Sequence, residues 1–475
     1  MHRPHPQQSK IWLPLVIAMA LTGCGIINDT YHPAEVKPPE HWKETPSQET
    51  APAWPAADWW TQFNSPQLTS FIEEAKSAND DIQASVARVQ QADAQARVVG
   101  AALLPTIDAS AGVTHVRQPP GISVPCVKER TANCLTGSLN ASYELDFWGK
   151  NESASESAHA LAQASRFDQE IVALTVTSGV ADSYFSVVGL RDRLAVARGN
   201  VANGEHVLDN IQKRFDHGLA PALDLAQQKT LVATLRAAVP PLELQLRQQI
   251  NALVILLGRT PEALDIPESD GLTAITLPAV TPGLPSELLT RRPDIQLAEA
   301  QLIAANADIN SARAAMFPSI TLTAGDGYAS TALATLLKPE SAFYNLGSSL
   351  LQPIFRGGAL MGALDVRKAR YDELLHDYHK AVIAAFSDVE NALAAVAQTD
   401  AEQKAQEEAQ HEAKNAYDLA QKQFTSGLIS IDTLLNTQRA LFAANDALSQ
   451  AKLSHLQALV GLYKALGGGW QGKAA

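Results

Sequence analysis

Cysteine and aromatic residues are scarce in this sequence. Of its 475 residues only three are cysteine, and Phe, Trp and Tyr together make up 6%. Ala, Gln, Leu and Ser are abundant instead, which is typical of long helices in close contact and argues against a compact aromatic core. The net charge of −13 argues against a nucleic-acid partner and fits a soluble or periplasm-facing surface.

Motifs of enzyme active sites are also missing. The sequence contains no Gly-x-Ser-x-Gly, no phosphate-binding P-loop and no His-Glu-x-x-His. His376 and His379 have the spacing of neighbours on a helix, but such exposed histidines are usually solvated. The Gly467–Gly469 run is interpreted as a helix stop and flexible tail, because no strand precedes it as a phosphate loop requires. We therefore predict no catalytic activity, no metal and no cofactor.

The N-terminus has the layout of a bacterial lipoprotein signal peptide. Arg3 and Lys10 precede the apolar run Ile11–Leu21, which is too short to span a bilayer. The run ends in Leu-Thr-Gly-Cys, a lipobox, in which the chain is cleaved before the cysteine and the cysteine is acylated. We predict lipidation at Cys24, and Gly25 after it favours sorting to the outer membrane.

No stretch beyond Cys24 is apolar enough to predict a transmembrane helix, so strands would have to cross any membrane. The other two cysteines, Cys126 and Cys134, are predicted to form a disulfide in an oxidising compartment. Such a small loop would restrict the unfolded chain by roughly 2–3 kcal/mol. The alternative is a pair of free thiols, and a metal site is disfavoured because no histidine or further cysteine is nearby.

One long motif occurs twice. Asp80–Ile107 and Pro293–Ile320 align without a gap, with Pro105 on Pro318. In each copy a helical pattern ends at the proline, and an alternating stretch follows. The chain is therefore predicted to consist of two similar halves. Each half is a helix, a strand, a loop, a strand, a very long helix, a tight turn and a returning helix.

The predicted fold class is α+β, in this duplicated order. Predicted strands cover 106–116, 138–147, 319–326 and 344–353. Predicted helices cover 66–104, 149–215, a stretch from Pro221 to 257 that Pro240-Pro241 should bend or interrupt, 286–316, 358–424 and 430–466. The predicted regions are a signal peptide (1–23), a lipid-anchored tether (24–64), a first repeat (65–258), a linker (259–285), a second repeat (286–466) and a tail (467–475).

The strands alternate between apolar and polar residues. Leu139, Ala141 and Tyr143 share one face of the second strand, while Asn140 and Ser142 share the other. This alternation is typical of a membrane barrel with a wet interior, and the alternative is a soluble hairpin with one solvated face. A sheet in lipid must close, and closed single-chain barrels have at least eight strands. Other copies would have to complete the four strands of one chain, two copies giving eight and three giving twelve.

Several motifs together resemble the TolC-like outer-membrane efflux family, specifically its NodT-like and OprM-like lipoprotein branch. They are the lipobox, Asp58-Trp59-Trp60, Leu145–Lys150, Arg291–Ile295, Phe317–Ile320 and Leu462–Trp470, and they span essentially the whole mature chain. The resemblance implies a homotrimer with a twelve-stranded β-barrel on a long periplasmic α-helical barrel. It also implies docking onto a periplasmic adaptor (membrane fusion) protein and an inner-membrane pump, usually of the resistance-nodulation-division class.

Two candidate sites follow. The first is a pair of matching turns, where a hairpin of the adaptor could dock helix against helix; the alternative is plain helix-turn geometry. The candidate docking residues are Arg214, Phe215, Gly218, Leu219, Phe424, Gly427 and Leu428. The second is a periplasmic gate at Asp432, Asn436 and Arg439, which share one helix face. Relatives often carry an acid where Asn436 stands, so Asp432 is the favoured acidic member; the alternative is a solvated helix face.

The predicted function is the outer-membrane exit duct of a tripartite efflux pump for small toxic compounds. The alternatives are the outer-membrane component of a type I protein secretion system and a structural lipoprotein that tethers envelope layers. The lipobox and the closing Gly-Gly-Gly-Trp favour efflux over protein secretion, and the alternating strands disfavour a tether.

Overall fold

The computed structural model describes residues 30–33, 36–43, 54–117, 131–261, 266, 271–278 and 283–470. The predicted signal peptide, Cys24 and Cys126 lie outside these residues. The chain forms two compact units, each drawn from both halves. The sheet unit comprises Met1–Glu35, Val89–Ser165 and Leu297–Tyr378, and the helical unit comprises Val36–Arg88, Arg166–Gln296 and His379–Ala475.

The elements of the two halves match in order. In the first half they are α1 (Pro66–Ala78), α2 (Asp80–Gly100), β1 (Thr106–Arg117), β2 (Thr131–Leu145), α3 (Lys150–Asp216) and α4 (Ala222–Leu256). In the second half they are α5 (Pro285–Arg291), α6 (Pro293–Ala314), β3 (Ser319–Ser330), β4 (Ala342–Leu351), α7 (Ala359–Thr425) and α8 (Ile431–Ala465). The predicted duplication is present, and both long helices, α3 and α7, contain 67 residues.

The helix predicted over 66–104 is divided at Asn79, so the prediction of one continuous helix is wrong. The Asn79 side chain accepts hydrogen bonds from the amides of Asp81 and Ile82 at 3.0 and 3.1 Å, which caps α2. Its Nδ2 donates to the carbonyl oxygen of Leu256 at 2.9 Å. The break is therefore capped locally and is also bonded to the end of α4, far away in the sequence.

The helix predicted over 286–316 is divided in the same way, at Arg292. The guanidinium donates to both carboxylate oxygens of Asp294, at 3.0 and 2.7 Å, and to Asp388 at 3.0 Å. It also donates to the carbonyl oxygen of Ala465 at 3.2 Å, near the end of α8. These partners raise the pKa of Arg292 even though desolvation by burial alone would lower it.

Glycines complete both junctions. Gly258 and Gly467 follow the returning helices and adopt positive φ, 67° and 86°. A Cβ added at Gly258 would overlap the carbonyl oxygen of Ala78, and one at Gly467 would overlap that of Arg291. Each glycine therefore lets the end of a returning helix approach the end of a short helix in its own half.

Pro240 and Pro241 lie inside α4, which the structure shows as one uninterrupted helix. The predicted interruption is therefore wrong, and the alternative, a bend at the prolines, stays a prediction. Exposed ion pairs join α4 to α3 on either side of the prolines, Arg236 with Glu205 and Arg198 with Glu243, but such pairs contribute little. Apolar side chains of α4 are buried on both sides of the prolines, Leu231 and Val232 before them and Leu253 and Val254 after them.

One described helix, α3, is long and apolar enough to cross a membrane by composition, with a window of mean hydropathy 1.5. This corrects the expectation that no stretch beyond Cys24 would qualify. Half of that window is buried, and α3 supplies Val180, Phe185 and Val188 to the main core of the helical unit. Packing within the chain therefore accounts for its apolar character.

The predicted flexible tail is packed as far as Trp470. Gly468 lies against Leu174 and Trp59, Gly469 lies against the backbone of Ala56, and Trp470 makes an edge contact with Phe167 at 5.7 Å. Residues 471–475 lie outside the described part of the chain. The glycine run is therefore a close-packed element rather than a loose end.

The strands form one antiparallel sheet in the order β1-β2-β3-β4. The central pair, β2 and β3, joins the two halves, from Leu145 opposite Ile320 to Leu135 opposite Ser330. Each predicted strand is present, although β2 begins seven residues earlier than predicted, at Thr131 rather than 138. Within the described residues, β1 and β4 each have one edge without a neighbouring strand.

Candidate gate and docking turns

Four helix ends meet in one apolar cluster of the helical unit, which we call the turn cluster. It buries residues from the end of α3 and the start of α4, together with their counterparts from α7 and α8. The buried members are Val207, Ile211, Leu225, Leu231, Tyr417, Ala420, Ile431, Leu434, Leu435, Leu441 and Phe442. The two helical hairpins therefore pack as one body that presents both predicted turns.

The first turn is a Schellman motif. Gly218 has φ of 70°, its amide donates to the carbonyl oxygen of Phe215 at 2.9 Å, and the amide of Leu219 donates to that of Arg214 at 2.8 Å. The usual apolar contact of this motif would join Leu219 to residue 214, which is an arginine. Leu219 is 69% exposed.

The second turn repeats this geometry. Gly427 has φ of 72°, its amide donates to the carbonyl oxygen of Phe424 at 3.0 Å, and the amide of Leu428 donates to that of Gln423 at 2.9 Å. Leu428 is 76% exposed, again with a polar residue at the position that normally covers it. Open space surrounds both glycines, so their positive φ alone requires glycine.

Arg214 and Phe424 contact each other across the two turns. The guanidinium carbon lies 5.1 Å from the centre of the Phe424 ring, a cation–π contact. Phe424 also packs against the turn cluster, whereas Phe215 is partly exposed. Of the seven predicted docking residues, these two therefore link the turns, and Leu219 and Leu428 are the large apolar side chains most open to a partner.

The structure brings the three predicted gate residues together on one exposed face of α8. Asp432 lies in the first turn of α8, and its Oδ1 accepts a hydrogen bond from Nε2 of Gln227 on α4 at 3.1 Å. Asn436 and Arg439 follow at helical spacing. The sequence did not indicate that Gln227 holds the carboxylate of Asp432.

The matching face of α4 lacks this charge pattern. Buried positions of the two helices correspond in order, Leu225, Gln228, Leu231 and Val232 with Leu435, Gln438, Leu441 and Phe442. In that alignment Ala222, Ala226 and Lys229 stand where α8 carries Asp432, Asn436 and Arg439. An acidic residue therefore lies on this face of α8 and is missing from the matching face of α4.

Two fully buried glutamines were missed by sequence reasoning. Gln228 donates to the carbonyl oxygen of Gly204 at 2.8 Å, but its Oε1 is buried without a partner among the described residues. Both amide atoms of Gln438 are buried without a described partner. Their positions between buried leucines at spacing i, i+3 and i+6 would have placed them on the apolar faces of α4 and α8.

The sheet has one polar and one apolar face, as predicted. On the polar face Ser110 and Ser138 oxygens lie 3.0 Å apart, and Nδ2 of Asn140 donates to Ser110 at 3.1 Å. The apolar face carries exposed side chains that include Ile107, Val113, Leu139, Tyr344, Leu346 and Leu350. Asp326 is an exception, because the register places it on the apolar face opposite Leu139.

Cys134 lies on the polar face of β2 and is disulfide-bonded. Its predicted partner, Cys126, lies outside the described residues, so the pairing of the two stays a prediction. His376 and His379 lie on α7. Among the described residues no group of three or more His, Cys, Asp or Glu side chains could hold a metal ion.

The comparisons with known proteins agree with this architecture. A family model described as outer membrane efflux protein matches residues 71–259 and 284–468, which is most of both halves. The chain is 42% identical over 418 residues to the pyoverdine export outer membrane protein OpmQ of Pseudomonas aeruginosa, covering 87% of each chain. It is 34% identical to the toluene efflux pump outer membrane protein TtgF of Pseudomonas putida, covering 97% of each.

A solved structure has the same fold. The outer-membrane channel OprN is 26% identical and superposes with a TM-score of 0.86, covering 94% of this chain and 99% of that one. The resemblance to the outer-membrane efflux family and the predicted α+β fold class are thereby confirmed. On the matched residues and the duplicated fold together, the chain belongs to the outer membrane efflux protein family.

Proposed function

We propose that this chain is the outer-membrane exit duct of a tripartite efflux pump and conducts small toxic compounds passively to the exterior. The observation that carries the proposal is the four-stranded sheet, which has a hydrogen-bonded polar face, an apolar face and two open edges. An envelope tether needs no such sheet. The duct requires no catalytic step, and we infer that the chain is not an enzyme.

Three copies would complete the duct. Pairing β4 of one copy with β1 of the next would satisfy the edge amides and carbonyls, which lipid cannot. Three four-stranded sheets give twelve strands, with the polar faces towards the lumen. Cys24, once acylated, would add a lipid anchor on the same membrane.

The gate face on α8 supports a constriction. In a trimer Asp432 would occur three times around the axis, and a ring of carboxylates attracts cations and repels anions. Within one copy Asp432 already accepts a hydrogen bond from Gln227, which orients its carboxylate. Arg439 on the same face supplies a positive group that could pair with an acid of a neighbouring copy.

The two Schellman turns support adaptor docking. They present the same backbone geometry twice in each chain, and Leu219 and Leu428 are exposed at corresponding positions. A periplasmic adaptor that offers a helical hairpin could bury these leucines helix against helix. The inner-membrane pump behind the adaptor is proposed to belong to the resistance-nodulation-division class.

The cargo is a small molecule. The names of the two relatives refer to a pyoverdine and to toluene, which differ widely in size and polarity. A shared duct architecture with such different cargoes supports selection by the pump rather than by the duct. It also favours efflux over a type I system that exports proteins.

Planar-bilayer recording tests the duct and the gate together. We expect the purified full-length protein to give single-channel currents. Asp432→Ala should raise the conductance roughly twofold or more, because it removes the acid with which Arg439 of a neighbouring copy would pair to narrow the constriction. Asp224→Ala, in the first turn of α4, is the matched control and should leave the conductance unchanged. Absence of any channel current would contradict the duct, whereas unchanged conductance in Asp432→Ala would contradict only the gate.

A further inference from the structure

An exposed apolar junction connects β4 to α7 in the sheet unit. Ile354 and Phe355 are 88% and 87% exposed, although both are large apolar side chains. Beside them is a cavity of about 230 Å³, lined by Met316, the 353–356 segment and the first turn of α7. Because exposed apolar area of this kind is unfavourable in water, the junction needs a cover that the described chain does not supply.

The register places the junction at one end of the sheet. Ser319 pairs with Leu351, and Leu145 pairs with Ile320, so β2, β3 and β4 have their ends at the same level. From Ile320 to Tyr328 the strand rises roughly 26 Å at 3.3 Å per residue. This length is close to the apolar band of about 25 Å in outer-membrane barrels, which aromatic residues flank at both interfaces.

Aromatic residues occupy both ends of that band. Tyr328 and Tyr344 are exposed at the far end. At the near end Trp148 stacks on Phe317 at 5.0 Å, and its Nε1 donates to the carbonyl oxygen of Pro318 at 2.7 Å. Trp is enriched at membrane–water interfaces for its apolar body and polar tip. The junction therefore lies at the interfacial level of the sheet.

The corresponding junction of the first half carries its own acids. Before α3, Glu144 pairs with Lys150 at 2.5 Å, and Asp146 accepts the amide hydrogen of Glu152 at 2.7 Å. Gly149, with φ of 71°, ends this junction. Its positive residue thus has an anionic partner within the chain.

The second junction has the opposite charge. Gly357 corresponds to Gly149, with φ of 58°, so Ile354 stands in place of Asp146 and Arg356 in place of Trp148. The first turn of α7 contains no acidic residue. The Arg356 guanidinium makes no ion pair with any residue that the structure describes. A cation flanked by apolar side chains fits an occupant with an anionic head and an apolar tail.

We propose that the β4–α7 junction binds an anionic phospholipid of the surrounding leaflet. Arg356 contacts the lipid phosphate, while Ile354 and Phe355 lie among the acyl chains beside the cavity. Arginine is suited to phosphate because its guanidinium offers several donors in a fixed plane. This assignment rests on the proposed placement of the sheet in the outer membrane.

Spin labelling tests the environment of the junction. The full-length protein is reconstituted in phosphatidylcholine vesicles that contain phosphatidylglycerol, with a nitroxide on Phe355→Cys or, for comparison, on Leu346→Cys of the apolar face. High collision with oxygen and low collision with a water-soluble nickel complex at both positions is the expected result. Low collision with both reagents at Phe355→Cys alone would show that a second copy of the chain covers the junction, and would overturn the inference. Water exposure at Leu346→Cys would overturn the proposed membrane placement itself.

Native mass spectrometry of the delipidated full-length protein tests whether the charge of Arg356 contributes to lipid binding. Phosphatidylglycerol should bind more tightly than phosphatidylcholine, and Arg356→Gln should weaken its binding about fivefold, the effect of one basic residue near a lipid surface. Lys380→Gln is the matched control, since it removes an exposed positive charge from α7, 24 residues further along the chain. Equal binding of both lipids, or unchanged phosphatidylglycerol binding in Arg356→Gln, would overturn the proposal.

Discussion

The two halves of the chain share a backbone and differ in charge. Their turns have the same pair of hydrogen bonds, and their returning helices end in glycines that approach equivalent carbonyls. Beyond each turn, however, α8 presents Asp432 where α4 presents Ala222. The duplication therefore accounts for the shared backbone architecture. The candidate gate and the candidate lipid site come from residues that differ between the halves.

The junctions between the short helices show the same division. Asn79 and Arg292 occupy equivalent breaks, and each donates to a carbonyl near the end of a returning helix. Asn79 does so with a neutral amide. Arg292 brings a charge that Asp294 and Asp388 must balance, so one geometry is held by two different kinds of interaction.

The largest expected loss of stability comes from the two glycine junctions, and it tests whether they are equivalent. Gly258→Ala and Gly467→Ala should each lower the free energy of unfolding by about 3 kcal/mol or more, because positive φ and overlap with a carbonyl act together. Thermal unfolding of the purified protein measures this. Gly461→Ala, with open space around it on α8, is the control and should not destabilise. Wild-type stability in either junction variant would contradict the equivalence.

A second experiment separates the two breaks. Arg292→Ala should cost about 3 kcal/mol, since it leaves Asp294 and Asp388 without their partner, whereas Asn79→Ala should cost about 1 kcal/mol from the lost cap. Denaturant unfolding gives both values. Arg88→Ala removes an exposed ion pair with Asp168 and should cost less than about 1 kcal/mol. Equal losses in Arg292→Ala and Asn79→Ala would remove the distinction drawn between them.

Asp182 of α3 is a further position at which the two halves differ, and the pH dependence of stability tests it. Burial raises the pKa of Asp182 to about 6 from the ordinary 3.8, opposed by the charge of Lys464, and Oδ1 has no described partner. The folded state therefore holds this proton more tightly than the unfolded state. The stabilisation that comes from protonation of Asp182 is therefore complete below pH 3.8 and is lost as the pH rises through about 6.

The second half has Asn391 at the matching position. Asp182→Asn should therefore raise the free energy of unfolding at pH 7 by about 2 kcal/mol, and by little near pH 4. Unfolding midpoints across this range provide the measurement. Asn391→Asp, at an exposed position, should show no such pH dependence. A difference between Asp182→Asn and wild type that is the same at both pH values would show that Asp182 is not the titrating group.

The smallest expected effect concerns the turns. Gly218→Ala and Gly427→Ala should each destabilise by about 1 kcal/mol, because only the positive φ opposes alanine there. Calorimetry of the single and double variants tests whether the two turns contribute equally and additively. Gly199→Ala, inside α3 with open space around it, should stabilise slightly. A loss several times larger at one turn would indicate a contact peculiar to that half.

Local signals in the sequence predicted much of this structure. Pro105 and Pro318 ended the helical patterns, and alternation, which is weak in the fourth strand, located the strands. The repeat of Phe-x-x-Gly-Leu located both turns. Each signal acts within a few residues, through backbone geometry or side-chain periodicity, so it can be detected without knowledge of the fold.

The features that escaped prediction depend on distant contacts. The bond from Asn79 to Leu256 joins two distant helix ends, and the glycine run is packed because Leu174 and Ala56 lie against it. The cap that Asn79 places on α2, through Asp81 and Ile82, is instead a local signal that was missed. At the candidate gate, spacing alone placed Asp432, Asn436 and Arg439 on one face. The hydrogen bond from Gln227 comes from another helix, so no pattern on α8 could show it.

The adjacency of β2 and β3 has a consequence for how the chain folds. The β1–β2 connection runs from Arg117 to Thr131 and the β3–β4 connection from Ser330 to Ala342, whereas β2 and β3 are separated by α3, α4, α5 and α6. Loop-closure entropy rises with the logarithm of loop length, which makes the central pairing costlier by roughly 2 kcal/mol than either hairpin. The two hairpins should therefore form early. The pairing of β2 with β3 should follow once the helices between them have formed and brought the two strands closer. Until then each hairpin exposes two unpaired edges.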